Sequence, residues 1–322
     1  MVGFTFWQDK EGTYDDALED ILINVAENAA DDLEVEHAAN SASNLDIAQV
    51  RSGLAHYYLL RNRMADAESC IRKAFNYIIN INLEAISRNP NDELFNNSSL
   101  PDGVSPDARN YLEEQIATLA QVSFLDNTVA LIAEREPLAP QQYDSIMESF
   151  RVRLPFVHNN NSKVHPYQTL MPAMWKFNLA VLRARTTNAL LQARSIRRHW
   201  NAVSHDLIGK YGSLFVRSIF DLSSTEEKRM ALTQSYWELL EEINELEGAL
   251  STAVLKASLN SNPLDRLHEI SLKCSLMVAH GAKAVLHMLL PSHLESRKMA
   301  IDAVCQIVTI TEQFEDCGKH LF

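Results

Sequence analysis

The sequence predicts an all-α fold, a multi-helix bundle built around a central helical hairpin. Apolar residues recur at steps of three and four along most of the chain, which is typical of helices that bury one face. The stretches between these runs are rich in proline, asparagine and serine, which end helices and form loops. Only 9 of the 322 residues are glycine, and no apolar run is long enough to cross a bilayer.

The central hairpin is predicted over residues 49–83. Two runs with helical apolar spacing flank a polar break at residues 61–63, so two helices should turn back on one another. Small residues in both runs would let these helices approach closely. The same offsets match one tetratricopeptide repeat, so a scaffold that binds peptides beside Tyr58 is an alternative, although no fixed-length repeat recurs. The apolar positions of the hairpin are Leu54, Ala55, Tyr58, Leu59, Met64, Ala67, Ile71, Ala74, Phe75 and Ile78.

The elements on either side of the hairpin follow from the same signals. Residues 89–106 contain three prolines among asparagine and serine, which indicates a surface loop. The next helix begins with the Ser-Pro-Asp signal at residues 105–107 and stops before Pro137, and residues 141–151 form a short helix. Before the hairpin, residues 14–37 form an amphipathic helix with acidic residues opposite its apolar side. That apolar side consists of Leu18, Ile21, Leu22, Val25 and Ala29.

A second loop at residues 159–161 is the predicted internal boundary between two helical subdomains, 49–158 and 159–322. The acidic helix and its linker, residues 1–48, precede the first subdomain. Residues 167–192 form a helix whose proline lies in its first turn, and two glycines then break the chain before a short helix. The longest helix is predicted to begin at the capping sequence 223–227 and to end at Asn262. The last two helices follow at 264–290 and 294–314.

The longest helix carries a heptad seam of about three repeats, because its apolar residues alternate steps of four and three. Two interpretations stay open at this stage. The seam packs inside the bundle, or it joins two copies of the chain in a homodimer. Its residues are Leu232, Tyr236, Leu239, Ile243, Leu246 and Leu250.

Charge and cysteine content exclude several classes of function. The net charge is −13, and because Lys and Arg must neutralise phosphates, the chain alone is not expected to bind DNA. The basic stretch at residues 183–198 is expected to be a solvated helix face that pairs with the acidic regions. The four cysteines fit no CxxC pair or disulfide framework, and the first residues carry no secretory pattern. We therefore expect a soluble intracellular protein.

No catalytic, cofactor-binding or metal-binding residue is assigned from the sequence. Arg198 and His205 resemble the Arg, polar residue, spacer, His pattern of the HEPN ribonucleases, and such a ribonuclease is an alternative function. The carboxylates among residues 15–20 are expected to form a solvated acidic face rather than a Mg²⁺ site. Three histidines in the last helices are expected to be packed or to lie at the rim, since zinc would require further ligands at comparable reach. They are His280, His287 and His293.

Several stretches, in the same order, resemble the regulatory region of fungal transcription factors of the binuclear zinc-cluster type, especially those of mushroom-forming fungi. The first is the hairpin, residues 49–83. The chain departs from the family pattern at two points: Leu119 and Ala120 replace an expected Phe-Trp pair, and the six-cysteine cluster that binds DNA is missing. The other similar stretches are residues 122–126 with 135–137, residues 143–146 with Phe150 and Leu154-Pro155, and residues 276–287 with Ser296-Arg297-Lys298 and Ile307-Val308.

This resemblance implies a function that none of the residues shows alone. It implies a non-catalytic regulatory domain that acts through protein contacts, or through ligand sensing in a cavity between helices. It also implies nuclear location and dimeric association. Because the zinc cluster is missing, the resemblance further suggests a regulatory region separated from its DNA reader, such as a fragment or a diverged paralogue.

Overall fold

The structure is a computed structural model in which eight α-helices, and no strand, are present in the part of the chain that it describes. The all-α prediction is therefore confirmed. The described residues are 16–38, 44–78, 106–138, 173–211, 219–259, 263–290 and 293–321. The helices are α1 (Asp16–Ala38), α2 (Asn44–Leu60), α3 (Met64–Ile78), α4 (Pro106–Ala133), α5 (Ala173–Tyr211), α6 (Ile219–Ser258), α7 (Pro263–His287) and α8 (Leu294–Leu321).

The chain separates into two compact units, Met1–Val181 and Leu182–Phe322. The first unit contains α1 to α4 and the start of α5. The second contains the rest of α5 and α6 to α8. The division predicted at residues 159–161 falls outside the described residues, as does the short helix at 141–151.

The hairpin of the first unit is formed by α2 and α3, as the sequence predicts. At its polar break Asn62 has a φ of 57°. The Asn62 N–H donates to the carbonyl of Leu59, and the Arg63 N–H donates to the carbonyl of Tyr58. This is a Schellman motif, in which a residue that tolerates the left-handed region closes the helix and satisfies its last carbonyls. The two helices pack closely because small side chains meet at their crossing, where Ala55, Ala67 and Ala74 are fully buried.

Helix α1 packs against α2 with a different face from the one its apolar spacing predicts. Ile21 and Val25 are exposed, whereas Ile23 and Ala30 are buried. The reason is an ion-pair cluster: the buried side chain of Arg51 on α2 binds a carboxylate oxygen of Asp31 at 2.5 Å and one of Glu34 at 2.6 Å. A guanidinium this deeply buried must be paired, so it turns the acid-bearing side of α1 toward α2.

Helix α4 packs across both hairpin helices, and its last turn is followed by a segment that folds back on it. Glu134 has a φ of 52°, and the Arg135 N–H donates to the carbonyl of Ala130. The fully buried carboxylate of Asp126 then accepts the Leu138 N–H at 2.6 Å and lies 3.3 Å from Nη2 of Arg135. This carboxylate therefore fixes the path of the chain where α4 ends.

The second unit is organised by α6 and α7, which pack antiparallel, and α8 packs on α7. The predicted heptad seam lies in this packing. Leu232 is half-buried, and the other five seam residues are buried within the chain. The structure therefore favours packing inside the bundle over a homodimer through these side chains, which would need them exposed.

Two helix boundaries differ from those that the sequence predicts. Helix α5 continues past residue 192 and through Gly209 to Tyr211, because one glycine near a helix end costs only about 1 kcal/mol relative to alanine. Helix α6 already begins at Ile219, so the capping sequence at 223–227 lies inside a helix. Within the described ranges, no helix has the length and apolarity needed to cross a membrane.

Candidate functional site

A cavity of about 450 Å³ lies in the second unit, between the end of α7 and the first half of α8. Helix α7 ends at His287, and α8, which packs on α7, begins at Leu294. The described residues between these helices form backbone hydrogen bonds, including one from the His293 N–H to the carbonyl of Leu290. We call this space the α7–α8 cavity. It is lined by His287, Met288, Arg297, Ala300, Ile301, Val304 and Cys305.

Apolar atoms form most of the cavity wall, and several of the side chains that supply them are open to water. Ile301 is 54% exposed, Val304 49% and Met288 53%. Along α8 the lining residues follow helical steps of three and four from Arg297 to Cys305, so one face of the helix forms the wall. Exposed apolar positions that line a concave space are typical of binding sites.

His287 is the buried polar residue of this wall. Its side chain is 5% exposed, and its Nδ1 lies 3.1 Å from the hydroxyl oxygen of Tyr236 on α6. The other ring nitrogen, Nε2, is buried and has no hydrogen-bond partner. Leaving a buried donor or acceptor unpaired costs about 1–3 kcal/mol, so a ligand that bonded Nε2 would recover part of this cost.

Hydrogen bonds extend from His287 back to the start of α8. Burial raises the pKa of the Tyr236 hydroxyl, and a hydrogen bond from Ser296 opposes this increase. Ser296 in turn lies within 3.3 Å of Nδ1 of His293, both through its hydroxyl and through its backbone N–H. Polar contacts therefore connect His293, Ser296, Tyr236 and His287 in that order. Nε2 of His287 is the unpaired group at the end of these contacts.

The imidazole of His287 is held neutral. Burial lowers its pKa, and the positive charge of Lys283 lowers it further. Two turns before His287 on α7, burial also lowers the pKa of His280, while the carboxylate of Glu247 opposes this decrease. Glu247 lies 3.5 Å from Nδ1 of His280 and accepts a hydrogen bond from Lys283 at 2.7 Å. This second cluster joins α6 to α7, and its residues are not among those that line the cavity.

These two histidines should make the protein less stable in weak acid. In the unfolded chain a histidine takes up a proton near its ordinary pKa of about 6.5. Below that pH the unfolded state therefore binds more protons than the folded state. The free energy of unfolding then falls as the pH drops, by up to about 1.4 kcal/mol per pH unit for each histidine.

Urea unfolding at about pH 7.5 and about pH 5.5 measures this dependence. The double variant His280→Gln/His287→Gln should show a smaller loss of stability between the two conditions than the wild type. His199→Gln is the control, because His199 is exposed on α5. If the double variant and the wild type lost the same amount, the buried histidines would not be the cause.

The structure does not join the three histidines into a metal site. His280 and His287 are both buried on α7, as their spacing of seven predicts, but each has a different partner. His293 is exposed. In the part of the chain that the structure describes, no three His, Cys, Asp or Glu side chains lie where they could hold a metal ion together.

The sequence patterns behind the alternative functions lie elsewhere. Arg198 is exposed on α5, and the side chain of His205 lies outside the described residues, so the ribonuclease hypothesis stays a prediction. The side chains of residues 15–20 also lie outside the described residues, so the solvated acidic face expected there stays a prediction. Tyr58, beside which the scaffold alternative predicts a peptide groove, is 2% exposed, and the guanidinium of Arg63 lies 4.6 Å from the centre of its ring.

The basic stretch of α5 is only in part the solvated face that its sequence predicts. Arg198 is exposed. Arg183, however, donates to the hydroxyl of Ser271, and burial lowers its pKa. Arg185 is buried 3.8 Å from the buried carboxylate of Glu242, which belongs to the acidic part of α6. These inner arginines connect helices of the second unit, and they are not available to a nucleic acid.

Comparison with known proteins adds no assignment to this geometry. No family model matches the chain, and neither the curated proteins nor the solved structures include a match.

Proposed function

We propose that this chain is a non-catalytic regulatory domain of the kind found in fungal zinc-cluster transcription factors, and that it senses a ligand in the α7–α8 cavity. One observation carries the proposal. The last stretch that resembles those proteins contains the polar residue His287 and, 9 and 10 positions later, Ser296 and Arg297. Two of them line the cavity, and the third is hydrogen-bonded to Tyr236, the partner of His287.

A second similar stretch supports the proposal in the first unit. Asp126 belongs to the Leu-Asp part of that stretch, and Arg135 belongs to the part that follows it. The two side chains are 3.3 Å apart, and Asp126 is fully buried. Asp126, the acidic residue of this similar stretch, therefore has a defined structural role at the end of α4, which supports the proposal.

The proposed function also accounts for the charge of the chain. A net charge of −13 disfavours contact with phosphates, so DNA would be read by another protein or by a separate segment. The role left to this chain is to change the output of such a reader through protein contacts in the nucleus. Dimeric association, which the resemblance implies, would use a surface other than the buried seam of α6.

Tethering tests this function directly. The full chain is fused to the DNA-binding domain of an unrelated bacterial repressor and expressed in a fungal cell with a matching reporter gene. We expect a several-fold change in reporter output relative to the DNA-binding domain alone. A fluorescent tag on the untethered chain should accumulate in the nucleus.

A cavity variant serves as the internal comparison in the same cells. Ala300→Trp would fill the α7–α8 cavity, and we expect it to alter the reporter response of a fusion that is expressed at the same level. If the wild-type fusion binds its operator and leaves reporter output unchanged, the chain is not a regulatory domain of this kind.

A further inference from the structure

The α7–α8 cavity has the size and lining of a small-molecule site, and its polar groups indicate the class of molecule. Its volume of about 450 Å³ falls within the range of ligand pockets in proteins. Four of its lining residues are aliphatic or methionine side chains, and these favour an apolar body. They are Met288, Ala300, Ile301 and Val304.

Arg297 supplies a positive charge at this apolar wall. Its side chain is exposed, and none of the described carboxylates forms an ion pair with it. The positions three and four residues away on the same helix face are His293, Leu294, Ala300 and Ile301, so no acidic side chain on α8 reaches it by helical spacing. A guanidinium in this setting favours a carboxylate, to which it can donate two parallel hydrogen bonds.

His287 supplies a second polar group to the wall of the same cavity. The Tyr236 hydroxyl lies 3.1 Å from Nδ1 of His287. In the tautomer in which this hydroxyl donates to Nδ1, the single hydrogen of the neutral imidazole is on Nε2. Nε2 has no partner in the protein. An N–H group left buried in this way favours an acceptor oxygen, which a carboxylate provides.

We infer that the α7–α8 cavity binds a small apolar carboxylic acid in its ionised form. The apolar body packs on Ala300, Ile301 and Val304, and the carboxylate is held by Arg297 and by the Nε2 hydrogen of His287. This inference deepens the proposed regulatory function, on which its biological meaning rests, but binding itself is measured separately from regulation.

Three probes with the same eight-carbon chain distinguish the carboxylate from the apolar body: octanoate, octanol and octylammonium. We expect octanoate to bind the full chain and to raise the midpoint of its thermal unfolding, because it binds the folded state. Octanol should bind about tenfold more weakly, since it lacks the charge that Arg297 recognises, and octylammonium should not bind.

Cys305 offers a second readout at the site itself. It is a free, exposed thiol that lines the cavity, whereas Cys274 is a free, exposed thiol on α7 outside it. Octanoate should slow the alkylation of Cys305 by N-ethylmaleimide, measured peptide by peptide in a mass spectrometer. The alkylation rate of Cys274 should not change.

Matched variants assign the carboxylate to its partners. Arg297→Gln should weaken octanoate binding about tenfold and leave octanol binding unchanged. Lys298→Gln removes an exposed cation from the next position of α8, outside the cavity, and should leave both affinities unchanged. His287→Phe should weaken octanoate binding as well, with circular dichroism showing that the variant is folded.

Two results would overturn the inference. Equal affinity for octanoate and octanol, with no effect of Arg297→Gln, would show an apolar site without carboxylate recognition. If octanoate does not bind and does not slow the alkylation of Cys305, the cavity is not a carboxylic acid site. The exposed face of Ile301 and Val304 would then contact something else, such as a helix of a protein partner. Octanoate binding without any change in the tethered reporter would contradict the proposed function and not this inference.

Discussion

Replacing Leu246 by alanine is expected to lower the free energy of unfolding by about 3 kcal/mol, within the range of about 2–5 kcal/mol found for buried leucines. Leu246 is 1% exposed and lies in the packing of α6 within the second unit. The substitution removes buried methyl groups and leaves a cavity that the surrounding helices fill only in part. The effect should therefore be among the largest that a single truncation produces in this chain.

Leu255→Ala is the matched control, because it makes the same change in the same helix. Leu255 is 61% exposed, so its loss should change the free energy of unfolding by less than about 0.5 kcal/mol. Urea unfolding followed by circular dichroism measures both variants. Because the chain has two compact units, hydrogen exchange of α6 and α7 peptides shows which unit has lost stability.

The same pair of variants distinguishes the two interpretations of the heptad seam. If the seam packs inside the chain, Leu246→Ala lowers stability and leaves the sedimentation coefficient of the folded protein unchanged. A wild-type dimer that dissociates in Leu246→Ala, with α6 and α7 still protected from exchange, would show instead that the seam joins two copies.

Local features of the fold could be predicted from the sequence because their causes lie within a few residues. The hairpin is an example. Its polar break at residues 61–63 and the helical spacing of its small residues can both be read from the sequence, and the alanines at those positions are buried. The helix boundaries were less predictable. Serine, threonine and glutamate at 223–227 favour a helix start, but they are also tolerated inside a helix, and α6 continues through them.

The face that a helix buries can be decided by a residue far away in the sequence. The apolar spacing of α1 indicates Ile21 and Val25, yet Arg51 binds Asp31 and Glu34 and brings the opposite side inward. Helical periodicity measures only where apolar residues lie. It contains no information about a buried cation on the next helix, whose desolvation is costly unless it is paired.

The candidate site was missed for the same reason. The spacing of seven between His280 and His287 predicts one face of α7, and both are buried there. Their partners come from α6, however, and Tyr236 is 51 positions before His287. Antiparallel register between two long helices decides which side chains meet, and no local pattern specifies it. The sequence signal for this site is the Leu286-His287 and Ser296-Arg297 pairs of the last similar stretch, but their order along the chain does not show that they are neighbours in space.

Replacing Asp126 by alanine is expected to lower the free energy of unfolding by about 2–3 kcal/mol. The fully buried carboxylate accepts the Leu138 N–H at 2.6 Å and pairs with Arg135, whose side chain is 23% exposed. Its removal leaves the Leu138 N–H and Nη2 of Arg135 without this partner. Asp302→Ala, which truncates an exposed aspartate of α8, should change stability by less than about 0.5 kcal/mol. Hydrogen exchange adds a local measurement: the Leu138 amide should exchange faster in Asp126→Ala, and an unchanged rate would contradict the role assigned to this carboxylate.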